Sequence, residues 1–204
     1  MAGTVQASKA ITLIGSAEIV AEYFHYGINS ILYQRGIYPA ETFTRTQKFG
    51  STLLVTTDEE LKSYLANIID QVKEWLLQMT IQKLVLVIRS IDTNEVVERW
   101  QFEVKCEKSP EDGSIPTKGK KTEDEVKNEI RSVIRQITAS VSFLPLLESP
   151  CSFEILVYTD KDLQIPEKWG ETGPAVMGNS EVVKFRSFTS SLHSVDSMVA
   201  FKKD

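Results

Sequence analysis

The chain has 204 residues, with 23 basic and 28 acidic side chains and a formal net charge of −5. This balance lacks the basic footprint of a nucleic-acid-binding protein, and no apolar run approaches the ~20 residues that a membrane-spanning helix needs. We therefore expect neither nucleic acid nor membrane among the partners. Two cysteines form no disulfide framework and the N-terminus does not resemble a secretory signal, so we expect free, buried thiols and a cytosolic or nuclear protein.

The first predicted helix begins after Ser16, which we expect to be its N-cap, and ends at Gly36. Gly27 lies inside the apolar stripe, where glycine costs about 1 kcal/mol relative to alanine. We expect the close approach of another backbone to offset that cost. Leu13 precedes the helix and is expected either to pack on the core or to join a short edge strand. The predicted stripe contains Ile19, Val20, Tyr23, Phe24, Ile28, Ile31 and Leu32.

A second helix and a hairpin follow an irregular stretch at residues 37–55. Thr57 and Glu60 have the spacing of a capping box, and Trp75 lies on the apolar face of the helix that they open. Residues 82–91 are too apolar to face water on either side, whereas residues 96–106 alternate between apolar and polar. This pattern predicts a β-hairpin with one solvated face.

Residues 122–159 combine the clearest helix and strand signals in the chain. Thr122 and Glu125 form a second predicted capping box, and apolar residues recur from Val126 at helical spacing until Pro145 stops the helix. The opposite face is charged and includes Arg131 and Arg135. A strongly apolar strand is then predicted at residues 151–159. We expect the polar stretch before this helix, residues 107–121, to be a mobile surface loop.

The last quarter of the chain, residues 163–204, is the least strictly patterned. It holds glycines, prolines, an isolated Trp169 and short apolar runs among many Ser and Thr residues. Short strands of this kind can pair in more than one register. Taken together, three helices on one face of a mainly antiparallel sheet predict a single α+β domain.

Catalytic chemistry is not indicated. His25 lies in the buried first helix and His193 in the loosely patterned tail, so neither has a recognisable catalytic partner in sequence. No phosphate-binding glycine loop, nucleophile elbow or metal-binding motif occurs. The acidic clusters at residues 58–60 and 123–125 fall in first helical turns, where they complement the helix dipole. We therefore expect no enzymatic activity, no metal and no cofactor.

Five stretches closely resemble the HORMA-domain proteins of the spindle assembly checkpoint. They are residues 24–43, 129–148, 158–162, 165–169 and 190–202, in the same order and over nearly the whole chain. The translesion-polymerase HORMA protein shares features of the first stretch only. The resemblance implies one HORMA domain over residues 1–204, with a core at about 11–160 and a mobile C-terminal segment, the safety belt, at about 163–204.

The resemblance also implies a two-state switch without enzymatic activity. In the closed state the safety belt wraps over a partner peptide, which adds as a strand to the edge of the 151–159 strand. The expected peptide-binding edge comprises Ser152, Phe153, Glu154, Ile155, Leu156, Val157 and Tyr158. The expected belt contacts are Trp169, Val183, Phe185, Phe188, Val199 and Phe201. Leu13 and Trp75 are expected to bias the balance between the open and closed states.

The implied partners are a kinetochore-bound checkpoint coiled coil and the activator subunit of the anaphase-promoting complex, which is restrained until chromosomes are attached. An open copy is expected to dock on a closed copy through the helix face around Arg135, Gln136 and Arg131, where a closed-state silencing protein competes. The implied location is nucleus and cytoplasm, and kinetochores in mitosis. The alternative is another HORMA adaptor that binds translesion-polymerase or meiotic-axis peptides.

Overall fold

The computed structural model describes residues 11–107 and 121–203. It contains three α-helices, α1 (Leu13–Gln34), α2 (Glu59–Leu77) and α3 (Glu123–Ala139). The strands are β1 (Phe43–Lys48), β2 (Ser51–Thr56), β3 (Ile81–Ser90), β4 (Val96–Cys106), β5 (Cys151–Thr159), β6 (Ser180–Lys184), β7 (Phe188–Ser190) and β8 (His193–Lys202). Most of the loop that the sequence predicts at 107–121 lies outside the described residues.

The helix caps agree with the sequence at α3 and differ at α1 and α2. At α3, Thr122 and Glu125 form both hydrogen bonds of the capping box. At α2 the N-cap is Asp58, whose carboxylate accepts the Leu61 N–H at 2.8 Å, so the predicted Thr57 box is wrong. Thr and Asp are both favoured N-cap residues, and adjacent candidates are hard to separate from sequence.

Helix α1 begins four residues earlier than predicted. Thr12 is the N-cap, and its hydroxyl accepts the Gly15 N–H at 3.1 Å. Ser16 is therefore not a cap but a fully buried helical residue. Leu13 becomes the first residue of α1, so it does not form the edge strand that was one of its two expected places. Gly36, at φ +64°, ends the helix as predicted.

The main sheet has six antiparallel strands, five of them in the order β5-β3-β4-β8-β6, with β7 pairing to β8. Strand β3 lies between β5 and β4, and its side chains are buried on both faces, as predicted. Leu84, Leu86 and Ile88 pack toward the helices, whereas Val85 and Val87 belong to a separate apolar cluster. All three helices pack on one face. The face away from them is called the outer face below.

Residues 43–56 form a separate β1–β2 hairpin that the sequence analysis treated as irregular. Its turn is Phe49-Gly50, with φ values of 50° and 67°. Two successive positive φ values are the geometry of a type I′ hairpin turn, which usually has Asn-Gly. Phe43, Phe49 and Leu53 of this stretch are buried, and Leu54 and Val55 are half-buried.

An aromatic cluster joins α1 to the sheet and to the C-terminal strands. The ring of Tyr23 lies 5.8 Å from that of Phe102 on β4 and 4.8 Å from that of Phe188 on β7, both edge-on. Edge-to-face pairs add to the stabilisation from burial. The Tyr23 hydroxyl makes a 2.7 Å hydrogen bond with Ser197 on β8.

A buried ion pair links the end of α1 to β4. Arg35 Nε donates to Glu98 at 2.8 Å, and Trp100 donates to the other carboxylate oxygen at 3.0 Å. Burial raises the pKa of Glu98, and the attraction of Arg35 opposes that shift. Glu98 is paired in register with Phe201 of β8, so the last residues of β8 run beside this ion pair.

The two cysteines, Cys106 and Cys151, are half-buried rather than fully buried, and no disulfide joins them. None of the three helices is both long enough and apolar enough to cross a bilayer, as far as the described residues extend.

Candidate functional site

One long edge of the sheet is open. In the described part of the chain, β5 pairs with β3 on one side and with no strand on the other. Its predicted binding residues divide between the two faces. Phe153, Ile155 and Val157 pack toward the helices, while Leu156 and Tyr158 pack in the cluster on the outer face. Ser152 is exposed, and Glu154 is paired with Arg89 at 2.9 Å. An open strand edge offers unpaired backbone groups to another chain.

Aromatic side chains border this open edge on the helix side. The Phe153 ring lies 6.1 Å from Tyr38 and 5.8 Å from Tyr64, and Tyr64 is 42% exposed. Burial raises the pKa of Tyr64, and a hydrogen bond with the backbone of Ile155 opposes the shift. Neither Tyr64 nor Tyr38 was assigned to this edge from the sequence, because both depend on what the fold places beside β5. The edge is therefore lined by partly exposed rings able to contact an added strand.

Trp75 and Trp169 connect α2 to the segment that follows β5. Their rings meet edge-on at 5.0 Å, with Trp75 almost completely buried and Trp169 half-buried. Trp169 is held in a turn by a hydrogen bond from its backbone N–H to Pro166 at 2.8 Å. Trp75 therefore lies on the buried, apolar face of α2, as predicted.

The segment of residues 160–179 runs from β5 at one edge of the sheet to β6 at the other. It crosses the outer face, where Ala175 is buried against Val85, Val87 and Leu156. Exposed residues dominate the rest of the segment. The segment is called the crossing segment below. Sequence reasoning did not identify Ala175, because one small residue in a polar stretch has no periodic signal.

The crossing segment leads to the C-terminal strands, which lie at the edge of the sheet opposite β5. Strand β8 pairs with β4 over nine residues, from Cys106 opposite His193 to Glu98 opposite Phe201. The expected belt residues between positions 180 and 202 all pack in or against the main core. Phe185 stacks on Trp100 at 6.0 Å, and Phe188, Val199 and Phe201 are buried. Val183 is half-buried and pairs with Val199.

Polar side chains also fix β8 to the helices. His193 is fully buried, with Nδ1 at 2.7 Å from the Ser16 hydroxyl on α1 and Nε2 at 3.0 Å from the Leu76 carbonyl oxygen on α2. Ser16 Oγ also lies 2.8 Å from the Ser190 hydroxyl and contacts the Ser190 carbonyl oxygen. Burial lowers the pKa of His193, and the Leu76 hydrogen bond opposes the shift.

The outward face of α3 forms a second candidate surface. Arg135 is exposed, and Arg131 is half-buried and reaches the Gly50 carbonyl oxygen at 3.4 Å. Gln136 is engaged differently, because its side-chain oxygen accepts the Arg186 N–H at 2.7 Å. A groove of about 450 Å³ lies between α3 and the β1–β2 turn, with Arg131 and Arg135 in its wall. Arg131 and Arg135 thus lie beside the β1–β2 turn, whereas Gln136 contacts the C-terminal segment.

The remaining predicted site residue, Leu13, is half-buried in the first turn of α1. His25 is half-buried in α1, where its ring packs edge-on against Tyr26 at 5.0 Å. Within residues 11–107 and 121–203, no three His, Cys, Asp or Glu side chains are grouped so as to hold a metal ion.

Three helices on one face of an antiparallel sheet, with a C-terminal hairpin carried across to the far edge, define the HORMA class of fold. The HORMA domain family model matches residues 16–193, so the chain belongs to the HORMA domain family. Its relatives of 40% identity or more include spindle checkpoint proteins. The mitotic spindle assembly checkpoint protein MAD2A of Homo sapiens is 60% identical over 202 residues, which cover 99% of this chain and 98% of the human protein.

Two further comparisons agree. MAD2A of Dictyostelium discoideum is 54% identical over 202 residues, covering 99% of this chain and 98% of its own length. A chain in the crystal structure of a mitotic checkpoint complex superposes with a TM-score of 0.84 at 44% identity, covering 93% of this chain and 99% of that chain. DNA polymerase zeta subunit 2 of Drosophila melanogaster is more distant, at 28% identity over 72% of this chain. The predicted fold and the predicted family are confirmed.

Proposed function

We propose that this protein acts in the spindle assembly checkpoint by capturing a partner peptide at the open edge of β5. The observation that carries the proposal is the pairing of β8 with β4, which leaves β5 free while the crossing segment passes over the same sheet. A peptide added to β5 would gain main-chain hydrogen bonds, and alternate side chains would contact Phe153, Tyr38 and Tyr64. Capture of the activator of the anaphase-promoting complex would restrain that complex until chromosomes are attached.

The safety belt provides the second state of the switch. In this proposal, residues 163–204 form the belt and residues 11–160 the core of the single domain. The arrangement described above corresponds to the closed state. In the open state β8 would leave β4 and the C-terminal strands would occupy the β5 edge, excluding the peptide. Two arrangements of one segment with similar free energies make a bistable element that a ligand can bias.

Arg131, Arg135 and Gln136 form the proposed self-association face. Exposed Arg135 and the adjacent groove support this role, and the hydrogen bond from Arg186 to Gln136 connects the face to the belt. A face that touches the belt can differ between open and closed copies, which is what docking of an open copy requires. The closed-state silencing protein would compete for the same face, and the kinetochore coiled coil would present the peptide.

The proposed activity is binding rather than catalysis. Both histidines have structural surroundings: His25 packs on Tyr26, and His193 is buried between two helices. The proposed location is the nucleus and cytoplasm, with recruitment to kinetochores during mitosis. This location follows from the checkpoint role of the relatives.

N-methylated peptides would test the binding mode directly. A peptide from the kinetochore coiled coil would be made in two forms, each methylated on alternate backbone nitrogens. The methyl groups of one form would face β5 and those of the other would face away. Strand addition predicts that the first form loses at least 100-fold in affinity and that the second binds like the parent peptide. Equal affinities of the two forms would exclude strand addition, because side-chain contacts alone do not distinguish them.

Another HORMA adaptor role is the second candidate. The Drosophila polymerase subunit shares the family but aligns with only 72% of this chain. Competition between a checkpoint peptide and a translesion-polymerase peptide would separate the two roles. Stronger binding of the polymerase peptide would favour the adaptor.

A further inference from the structure

We propose that the hydrogen-bonded set of Ser16, Ser190 and His193 is a register lock that positions β8 on β4 in the closed arrangement. The set links the belt to α1 and, through the Leu76 carbonyl, to α2. Its three side chains are all fully buried. They join residues up to 177 positions apart in sequence, so the contact exists only when the belt lies in this place.

Apolar patterning alone leaves the register of β8 undetermined. Inward-facing residues alternate strictly along the strand, with Val195, Ser197, Val199 and Phe201 buried after His193. A slip of one residue would turn all of them toward solvent and is strongly disfavoured. A slip of two residues keeps the same face inward and moves the strand by only about 7 Å. Some other interaction must exclude the second alternative.

The polar contacts exclude the slip of two residues. After a two-residue slip, Val195 or, in the other direction, Ser191 would occupy the place of His193. A valine side chain can bond neither the Ser16 hydroxyl nor the Leu76 carbonyl oxygen, and a serine hydroxyl is too short to reach both. The bond between Tyr23 and Ser197 at 2.7 Å would be lost in the same movement. Buried polar groups without partners are costly, so each broken contact penalises the slipped register. The correct register satisfies them all.

One arrangement of protons completes the set. The Ser190 hydroxyl donates to Ser16 Oγ, the single Ser16 hydroxyl proton is shared between His193 Nδ1 and the Ser190 carbonyl oxygen, and His193 Nε2–H donates to the Leu76 carbonyl oxygen. This chain requires a neutral imidazole protonated on Nε2. Asparagine at 193 could supply an acceptor near Nδ1 but no donor to Leu76, and phenylalanine could supply neither. Asparagine at 193 therefore removes the hydrogen bond to Leu76, and phenylalanine removes the hydrogen bonds to both Leu76 and Ser16.

The test compares Ser16→Ala, His193→Asn and His193→Phe with wild type, using Ser30→Ala as the matched control. Ser30 is also a buried serine of α1, but its hydroxyl donates within the helix, to the Tyr26 carbonyl oxygen at 2.8 Å. Two properties are measured on the peptide-free proteins. Cross-strand nuclear Overhauser effects between β4 and β8 report the register, and amide hydrogen exchange at Val195 and Val199 reports how often β8 detaches.

We expect Ser16→Ala and His193→Phe to show additional cross-strand contacts displaced by two residues, and at least tenfold faster exchange at Val195 and Val199. His193→Asn should fall between them and wild type, and Ser30→Ala should match wild type. The lock is overturned if Ser16→Ala and His193→Phe keep a single native register and exchange no faster than Ser30→Ala. Ser16→Ala alone decides the question if His193→Phe does not fold.

The claim that the lock helps to retain a captured peptide rests on the proposed function. The claim that the lock fixes the register of β8 does not. Peptide dissociation is therefore measured separately, with at least tenfold faster release expected from Ser16→Ala than from Ser30→Ala. Failure of the wild-type protein to bind peptide would count against the proposed function while leaving the register result intact. Unchanged release from a variant whose register has slipped would show that the lock does not retain peptide.

Discussion

At Gly27 the structure lacks the backbone contact that the sequence led us to expect. A glycine in a buried helical stripe suggested close approach of another backbone, yet a Cβ built at Gly27 would meet no atom within 4 Å outside its own helix. The expected contact is therefore wrong. Glycine at this position lowers helix stability relative to alanine, and no packing contact explains its presence.

Gly27→Ala should stabilise the protein, because alanine has the higher helix propensity and restricts the unfolded chain. We expect the free energy of unfolding, measured by denaturant titration, to rise by about 0.5–1 kcal/mol. Gly36→Ala is the matched control, since φ at Gly36 is +64° and a Cβ is strained there. It should destabilise by about 1 kcal/mol or more. A loss of stability in Gly27→Ala would show that the space beside Gly27 is needed.

At the scale of elements, the outward face of α3 carries the proposed self-association site. Gln136 is a poor residue to mutate for testing this face, because it accepts the backbone N–H of Arg186 and its loss would also disturb the belt. Arg135 is exposed and makes the cleaner variant.

Arg135→Glu should therefore leave the free energy of unfolding within about 0.5 kcal/mol of wild type, as expected for an exposed site. The dimer dissociation constant, measured by sedimentation equilibrium, should rise at least tenfold because the charge at the docking face is reversed. Lys62→Glu makes the same charge change on the exposed surface of α2 and should leave the dimer unchanged. Dimers of normal strength in Arg135→Glu would place the interface elsewhere.

Local signals explain which elements could be predicted. The α3 capping box and stripe and the doubly buried β3 are each specified by residues within one element, and both appear as expected. The solvated face predicted for β4 is wrong in part, because Gln101 is buried and Arg99 and Glu103 are half-buried. The β1–β2 hairpin was missed because Phe49-Gly50 is not a usual turn sequence. At α1 and α2, a second capping residue lay close to the predicted one.

Long-range polar contacts could not be predicted. Glu98 on the inward face of β4 has its partner Arg35 63 residues away, and Ser16 meets His193 across 177 residues. No local pattern records such pairs. The binding edge was predicted as a strand from its apolar residues, but its role came from the family resemblance. Tyr38 and Ala175 were not found, because their importance depends on what the fold places beside them.

At the scale of the whole molecule, the central claim is that the belt has two arrangements and that a peptide selects one. The closed pairing of β8 with β4 buries Phe188, Val199 and Phe201 and completes the bonds of Ser16 and Tyr23. Such extensive contacts form or break together, so the two arrangements should exchange slowly. A peptide must bind one state about 10⁴-fold more tightly to move the populations from 1:99 to 99:1.

The most direct test follows the β4–β8 cross-strand nuclear Overhauser effects in isotope-labelled protein before and after addition of the coiled-coil peptide. We predict two slowly exchanging sets of resonances without peptide, only one of which shows these contacts. With saturating peptide, that set alone should remain, and the amides of β5 should become protected. A single, unchanged pairing of β8 in both samples would contradict the account.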